Sequence, residues 1–242
     1  MAADMVALTT RRTMRWRPGL SVDGSGAPHS EIFAAAGEAS GAGLALALAL
    51  DRLDPEDRRP ILWVQTRETA RLTGRPYRAG LPAALRDRVI HVLADKAQDA
   101  LFALEEGLHC RDLAGVLGEI SGNPKQLDFT ASRRLSLAAE KYGVPLWLIR
   151  LDAGRDLSSA RMRWQAAAAP SAPPRWNSAA PGDPCWRAEL FRARSHAPGK
   201  WILHHDGQTL NTAAPEARPH AATTAHPVGL VFAAGARSLA AG

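Results

Sequence analysis

The feature that most limits what this chain can fold into is a rhythm. From Glu31 onward, short apolar runs alternate with longer segments of helical character, and that alternation is the mark of strand-helix-strand units that build a mostly parallel sheet. The strand candidates are Glu31 to Ala35, Ile61 to Gln65, Arg88 to Leu93, Leu113 to Glu119 and Pro145 to Leu151. Between them, Ala97, Ala100, Leu101, Leu104 and Leu108 recur at helical spacing, so this segment is predicted as a helix with one face on the sheet. A further helix is expected through Ala131, Leu135, Ala138 and Ala139, with Asp128 or Thr130 as its N-cap and Gly143 as its stop. Leu44, Leu46, Leu48 and Leu50 alternate with alanines. A period of two suggests a strand, but no β-branched residue occurs there, and Ala and Leu are strong helix formers, so a buried helix is the better reading.

Past residue 160 the rhythm changes. Arg161 to Gln165, Trp186 to Arg194 and Trp201 to His205 alternate in part between apolar and polar, which predicts antiparallel strands with a hairpin at Pro198 and Gly199. Residues 166–184 read as an Ala/Pro/Ser/Gly loop. The expected organisation is an irregular N-terminal arm over 1–28, a core over 29–206, and a low-order tail over 207–242.

A chain of 242 residues with 46% hydrophobic and 22% charged residues can bury a sizeable core and lies outside the disordered regime. The formal net charge of +6 comes mostly from arginine, since the lysines are Lys96, Lys125, Lys141 and Lys200. Two readings of that bias stand: bidentate recognition of phosphate or an acidic partner, or a GC-rich genome that enriches Arg, Ala, Gly and Pro together. Cys110 and Cys185 have no CxxC partner and no His at ligand spacing, so both are expected as free, buried thiols in a reducing compartment. Arg11, Arg12, Arg15 and Arg17 are not followed by an apolar run, and Gly41 to Leu50 is too short to cross a bilayer. The expectation is a cytoplasmic protein with no membrane contact.

Where the first strand gives way to a helix, a phosphate-binding loop of the form G-x-x-x-x-G-K-[ST] would sit. The octet there is Ala36-Gly37-Glu38-Ala39-Ser40-Gly41-Ala42-Gly43. Ala36 stands at the first glycine, Ala42 at the lysine and Gly43 at the Ser/Thr position. The lysine offsets charge on the β and γ phosphates and the hydroxyl ligates Mg²⁺, so their loss argues against hydrolysis. Backbone N–H groups from Ser40 to Gly43 could still form an anion nest. Gly37, Ser40, Gly41, Ala42 and Gly43 are therefore read as a degenerate phosphate loop, with a plain strand-to-helix turn as the alternative. No catalytic residue, metal ligand set or cofactor is assigned.

In this order of elements, with a strand at 113–119 ending in an acid, the chain resembles the RecA superfamily, and within it the ImuA family, over about residues 29–206. The segments that carry the resemblance are Gly118-Glu119-Ile120, Leu127 to Glu140, Ala160 to Trp164 and Trp186 to Leu190. It implies a RecA-like α/β fold and an accessory role in SOS-induced, error-prone translesion synthesis. The implied partner is an ImuB-type relative of the Y-family polymerases, with RecA and single-stranded DNA as further candidates. In active RecA relatives a long mobile DNA-binding loop follows the strand equivalent to 145–151. Only Asp152 to Ala160 is available here, which argues against RecA-like filaments on DNA.

Arg133, Arg134, Trp164, Trp186 and Arg187 are the candidate contacts with DNA or a partner. For the arginines the alternative is a solvated helix face. For the tryptophans it is core packing, against base stacking or a partner anchor. Glu119 reads as a relic of a Mg²⁺-organising acid or as an acceptor for backbone or an arginine. Glu68 falls where RecA places a water-activating glutamate. His204, His205 and Asp206 are read as structural, because adjacent strand residues point to opposite faces.

Overall fold

A computed structural model describes residues 29–54, 56–194, 197–207 and 209–212. The arm over 1–28 and the tail from 213 lie outside the described residues. The chain is α/β, with strands β1 (His29–Ala34), β2 (Ile61–Thr66), β3 (Val89–Ala94), β4 (Gly115–Ser121), β5 (Leu146–Leu151), β6 (Met162–Ala168), β7 (Cys185–Ala193), β8 (Gly199–His205) and β9 (Leu210–Thr212). They form one nine-stranded sheet in the order β3-β2-β4-β5-β1-β6-β7-β8-β9. Pairing is parallel from β3 through to β6 and antiparallel from β6 to β9.

The helices are α1 (Ser40–Arg52), α2 (Arg67–Thr73), α3 (Ala97–His109) and α4 (Phe129–Tyr142). Helix α1 lies in the apolar cluster on one face of the sheet, with Ile32, Trp63, Leu117, Ile149 and Trp164. On the other face, α3 and α4 cover Leu62, Val64, Val116, Leu146 and Leu148. The alternation of Ile61 and Trp63 against Leu62 and Val64 between these two clusters follows from the period of two of a strand. The alanines of α1 fit the same logic: Ala45, Ala47 and Ala49 are buried, and their small side chains let the helix lie close to the sheet.

Caps behave as the sequence leads one to expect. The Asp128 carboxylate accepts from Ala131 N–H at 2.7 Å, and Gly143 ends α4 at φ 75°, a left-handed conformation that costs glycine little.

Three features depart from the sequence reading. The short helix α2 arises where Thr66 caps the chain by accepting from Thr69 N–H. Strand β9 lies inside the expected low-order tail, because Leu210 has an apolar site to fill and pairs opposite His205. Neither cysteine is buried: Cys110 is exposed directly after α3 and Cys185 is half-buried at the start of β7, both as free thiols. Among the described residues no helix is long and apolar enough to cross a membrane.

The link from β5 to β6 has an uncommon form. Both strands flank β1 in parallel, so residues 152–161 must cross β1 from one end to the other. They do so without a helix, although parallel connections usually need a dozen residues or more. Serines fasten the crossing to α4: Ser132 and Ser158 share a hydrogen bond at 2.8 Å, Ser159 N–H donates to Ser132 Oγ at 2.9 Å, and Ser136 Oγ donates to Ser159 O at 3.1 Å.

Candidate functional site

A crevice of about 360 Å³ opens at the carboxyl end of β1, β2 and β4, against the N-terminus of α1. In open α/β sheets ligands bind in that position, and the octet Ala36 to Gly43 lies there. Asp152, at φ 48°, tethers the loop: its N–H donates to Ala34 O at 3.0 Å and its carboxylate accepts from Ala36 N–H at 3.1 Å. The Glu38 carboxylate accepts from Ser40 Oγ at 3.0 Å and from Ala168 N–H at 3.1 Å. A fixed negative charge therefore stands at the mouth of the helix.

Two of the three loop glycines, Gly41 and Gly43, have packing reasons, whereas a Cβ on Gly37 would meet nothing within 4 Å. A Cβ on Gly41 would come within 2.9 Å of Ala34 Cβ and 3.0 Å of Ile149 Cγ2, so this glycine is what allows α1 to sit on β1 and β5. A Cβ on Gly43 would meet Trp186 Nε1 at 2.9 Å. The space beside the Ser/Thr position is filled by that indole. Ala42 offers only a methyl group where a lysine would reach the phosphates.

Glu119 lies at the far wall and is 3% exposed. It accepts from Gln65 Nε2 at 2.7 Å, from Trp63 Nε1 at 3.3 Å and from Thr73 Oγ1 at 2.9 Å. Gln65 also donates to Gly74 O at 3.0 Å and bonds His91 Nε2 at 2.9 Å. Burial pushes the Glu119 carboxyl above its ordinary value, and the three hydrogen bonds oppose the rise. Its partners are thus side chains of β2 and α2 rather than backbone or an arginine. The parallel register, with Gln65 beside Glu119, places them on one face. Glu68 is exposed in the first turn of α2 and is absent from the crevice wall, whose basic residue is Arg75. The sequence reading missed Trp63, Gln65, Thr73 and His91, and a polar Gln in an otherwise apolar strand was the available signal.

On the opposite face, under the 152–161 crossing, the sheet buries a charged trio. Glu31 accepts from Arg163 Nε at 2.7 Å and from Ser158 Oγ at 2.7 Å, with Arg150 Nη1 at 3.9 Å. All three charged side chains are nearly inaccessible. Both guanidinium groups lie over the Phe33 ring, at 5.6 and 5.1 Å. Next to them His29 is fully buried, bonds Ser136 Oγ at 2.9 Å, and has its pKa lowered to about 4, chiefly by desolvation.

Among the candidate contacts, Trp164 is fully buried and Trp186 is 7% exposed, which takes both rings away from bases or partner side chains. Arg133 and Arg134 are exposed on α4, and Arg134 pairs with Glu105 at 3.0 Å. Arg187 is exposed on β7. His205 is turned inward and accepts from Gly207 N–H at 3.1 Å, while Asp206 caps the turn to β9 by accepting from Thr209 N–H. Among the described residues no cluster of three or more His, Cys, Asp or Glu could hold a metal ion.

No protein-family model matches the chain. Two curated proteins do: Protein ImuA from two strains of Caulobacter vibrioides, each 38% identical over 135 residues. Over that stretch the chain is similar to ImuA. The match covers 51% of this chain and 52% of each ImuA, so the chain spans about half the length of the curated relatives it matches. The segments whose residues resemble ImuA in the sequence reading form β4, α4, β6 and β7, which build both the crevice wall and the opposite face.

Proposed function

We propose that the chain is a RecA-like adaptor without ATPase chemistry, acting in SOS-induced, error-prone synthesis across DNA damage with an ImuB-type polymerase relative. The observation that carries this reading is the crevice at the end of β1. Its lysine position is Ala42, its hydroxyl position faces the Trp186 indole, and Glu38 and Glu119 line it. A triphosphate would meet two carboxylates and no lysine beside the loop, with Arg75 as the basic lining residue, whereas transfer catalysis depends on electrostatic stabilisation of the phosphoryl group. What remains is a folded scaffold whose surfaces, rather than its crevice, are free to act. The ImuA likeness supplies the context of mutagenesis.

Co-purification of the full chain with an ImuB homologue tests the adaptor role. A stable complex at micromolar concentration is expected, and no association at that concentration overturns it. The other reading, direct binding of single-stranded DNA, rests on exposed Arg133, Arg134 and Arg187, since Trp164 and Trp186 are packed in the core. It requires affinity for an oligonucleotide that falls steeply with salt, as counterion release dictates.

A further inference from the structure

A second cavity, of about 560 Å³, runs along the outer side of α4, between that helix, the 152–161 crossing and the end of β7. Phe129, Arg133 and Leu137 lie at intervals of four on α4, so they share one face, and all three line the cavity. Phe129 is 41% and Leu137 53% exposed. Arg192 and Arg194 form the opposite wall, and both are exposed. Arg161 is held by Glu140 in an ion pair at the end of the groove. Among the described residues no carboxylate pairs with Arg133, Arg192 or Arg194.

We infer that this groove is a docking site for an acidic protein segment that carries large apolar side chains. The charge points to an anionic occupant, because three unpaired guanidinium groups face one carboxylate that is already engaged. The two apolar side chains choose between anions. Phe129 and Leu137 are separated by about 12 Å along the helix at the usual rise, and they gain from burial against other apolar groups. A single strand of nucleic acid offers base faces, which suit the Phe129 ring but not Leu137, because leucine provides no face for base stacking. An acidic segment with apolar residues satisfies both demands, in the manner of an amphipathic helix laid in a groove. The chain's own arm over 1–28 is an unsuitable occupant, since it carries Arg11, Arg12, Arg15 and Arg17 and would repel the groove.

This inference deepens the adaptor reading by giving it a surface. The test uses the full chain and three fluorescent probes: a short Glu/Asp-rich peptide with Leu and Phe at helical spacing, a peptide of equal charge with alanine in place of those residues, and oligodeoxythymidine. Binding of the first peptide is expected to exceed that of the second, and to fall about tenfold or more in Arg133→Glu/Arg192→Glu, as for charge reversal at an interface. Leu137→Ala should weaken the first peptide alone. Arg134→Glu, whose side chain pairs with Glu105 outside the groove, should bind as the native chain does, and circular dichroism checks that each variant is folded. Equal binding of the two peptides, insensitivity to the double reversal, or tighter binding of the oligonucleotide with the same sensitivity overturns the inference. The two readings fail separately: an ImuB homologue that binds the native chain and the double variant equally removes the groove but keeps the adaptor, and one that does not bind the native chain removes the adaptor.

Discussion

The crevice at the carboxyl end of β1 and the groove along α4 sit in the same small domain, yet they treat charge in opposite ways. In the crevice, Glu38 stands at the mouth and Glu119 at the far wall, Ala42 presents a methyl group, and an indole occupies the space beside Gly43. In the groove, Arg133, Arg192 and Arg194, which have no carboxylate partner among the described residues, stand beside exposed Phe129 and Leu137. The difference teaches that the outline of a nucleotide site and its chemistry are separable. Gly41 persists because α1 must lie against Ala34 and Ile149, a packing demand that makes no use of phosphate. The contrast between the two faces of β1 has the same origin: Ile32 and Ala34 enter an apolar cluster, while Glu31 and Phe33 join buried arginines under the crossing.

The comparison can be broken most severely at Glu31. Glu31→Ala leaves Arg150 and Arg163 buried without their carboxylate, and removal of one partner from a buried ion pair costs about 3–5 kcal/mol. Urea unfolding should show that loss, and a change within experimental error would mean that the trio does not hold the crossing in place.

A comparable effect is expected from pH at the same face. His29 has its pKa lowered to about 4 from 6.5, so between those values the unfolded chain binds a proton that the folded chain refuses. Stability should therefore be complete above pH 6.5 and fall as the pH drops toward 4, by about 3 kcal/mol in all. Unfolding midpoints of the native chain and His29→Gln measured across that range check it; equal slopes would contradict the assignment.

A smaller effect is expected in the crevice. Glu119→Ala removes the acceptor shared by Trp63, Gln65 and Thr73 and should cost about 1–3 kcal/mol, the range for buried donors left unmade. Glu119→Gln keeps an acceptor for the first two, and the Thr73 hydroxyl can accept from its amide, so its loss should be below that of alanine. A loss for glutamine equal to that for alanine would contradict this, and would show that the negative charge itself, rather than the acceptor, is what Trp63, Gln65 and Thr73 require.

Much of this architecture was legible in the sequence because the signals were local. Apolar runs bounded by turns marked the strands from β1 to β5, partial alternation marked β6 to β8, helical spacing marked α3 and α4, and Asp128 and Gly143 marked the ends of α4. The gaps have a shared cause. Helix α2 depends on Thr66 capping a short turn, and β9 on the open edge of β8; neither produces a periodic pattern. The octet announced the missing lysine and hydroxyl, but nothing in it foretold that Trp186, more than 140 positions away, lies against Gly43. The groove was half visible: Arg133 stood out beside Arg134, and only the fold brings Arg192 and Arg194 opposite it while turning Arg134 toward Glu105. The sequence reading did not single out the buried trio, although Glu31, Arg150 and Arg163 stand as charges inside strands, and a strand covered on both faces leaves such a charge no route to water.

The central claim is that the crevice no longer handles nucleotide, and calorimetric titration of the full chain with ATP and Mg²⁺ tests it most directly. The account predicts no heat of binding at micromolar to millimolar ATP and no phosphate release above buffer. Saturable, Mg²⁺-dependent binding that disappears when Gly43 is replaced by a bulky residue would contradict it.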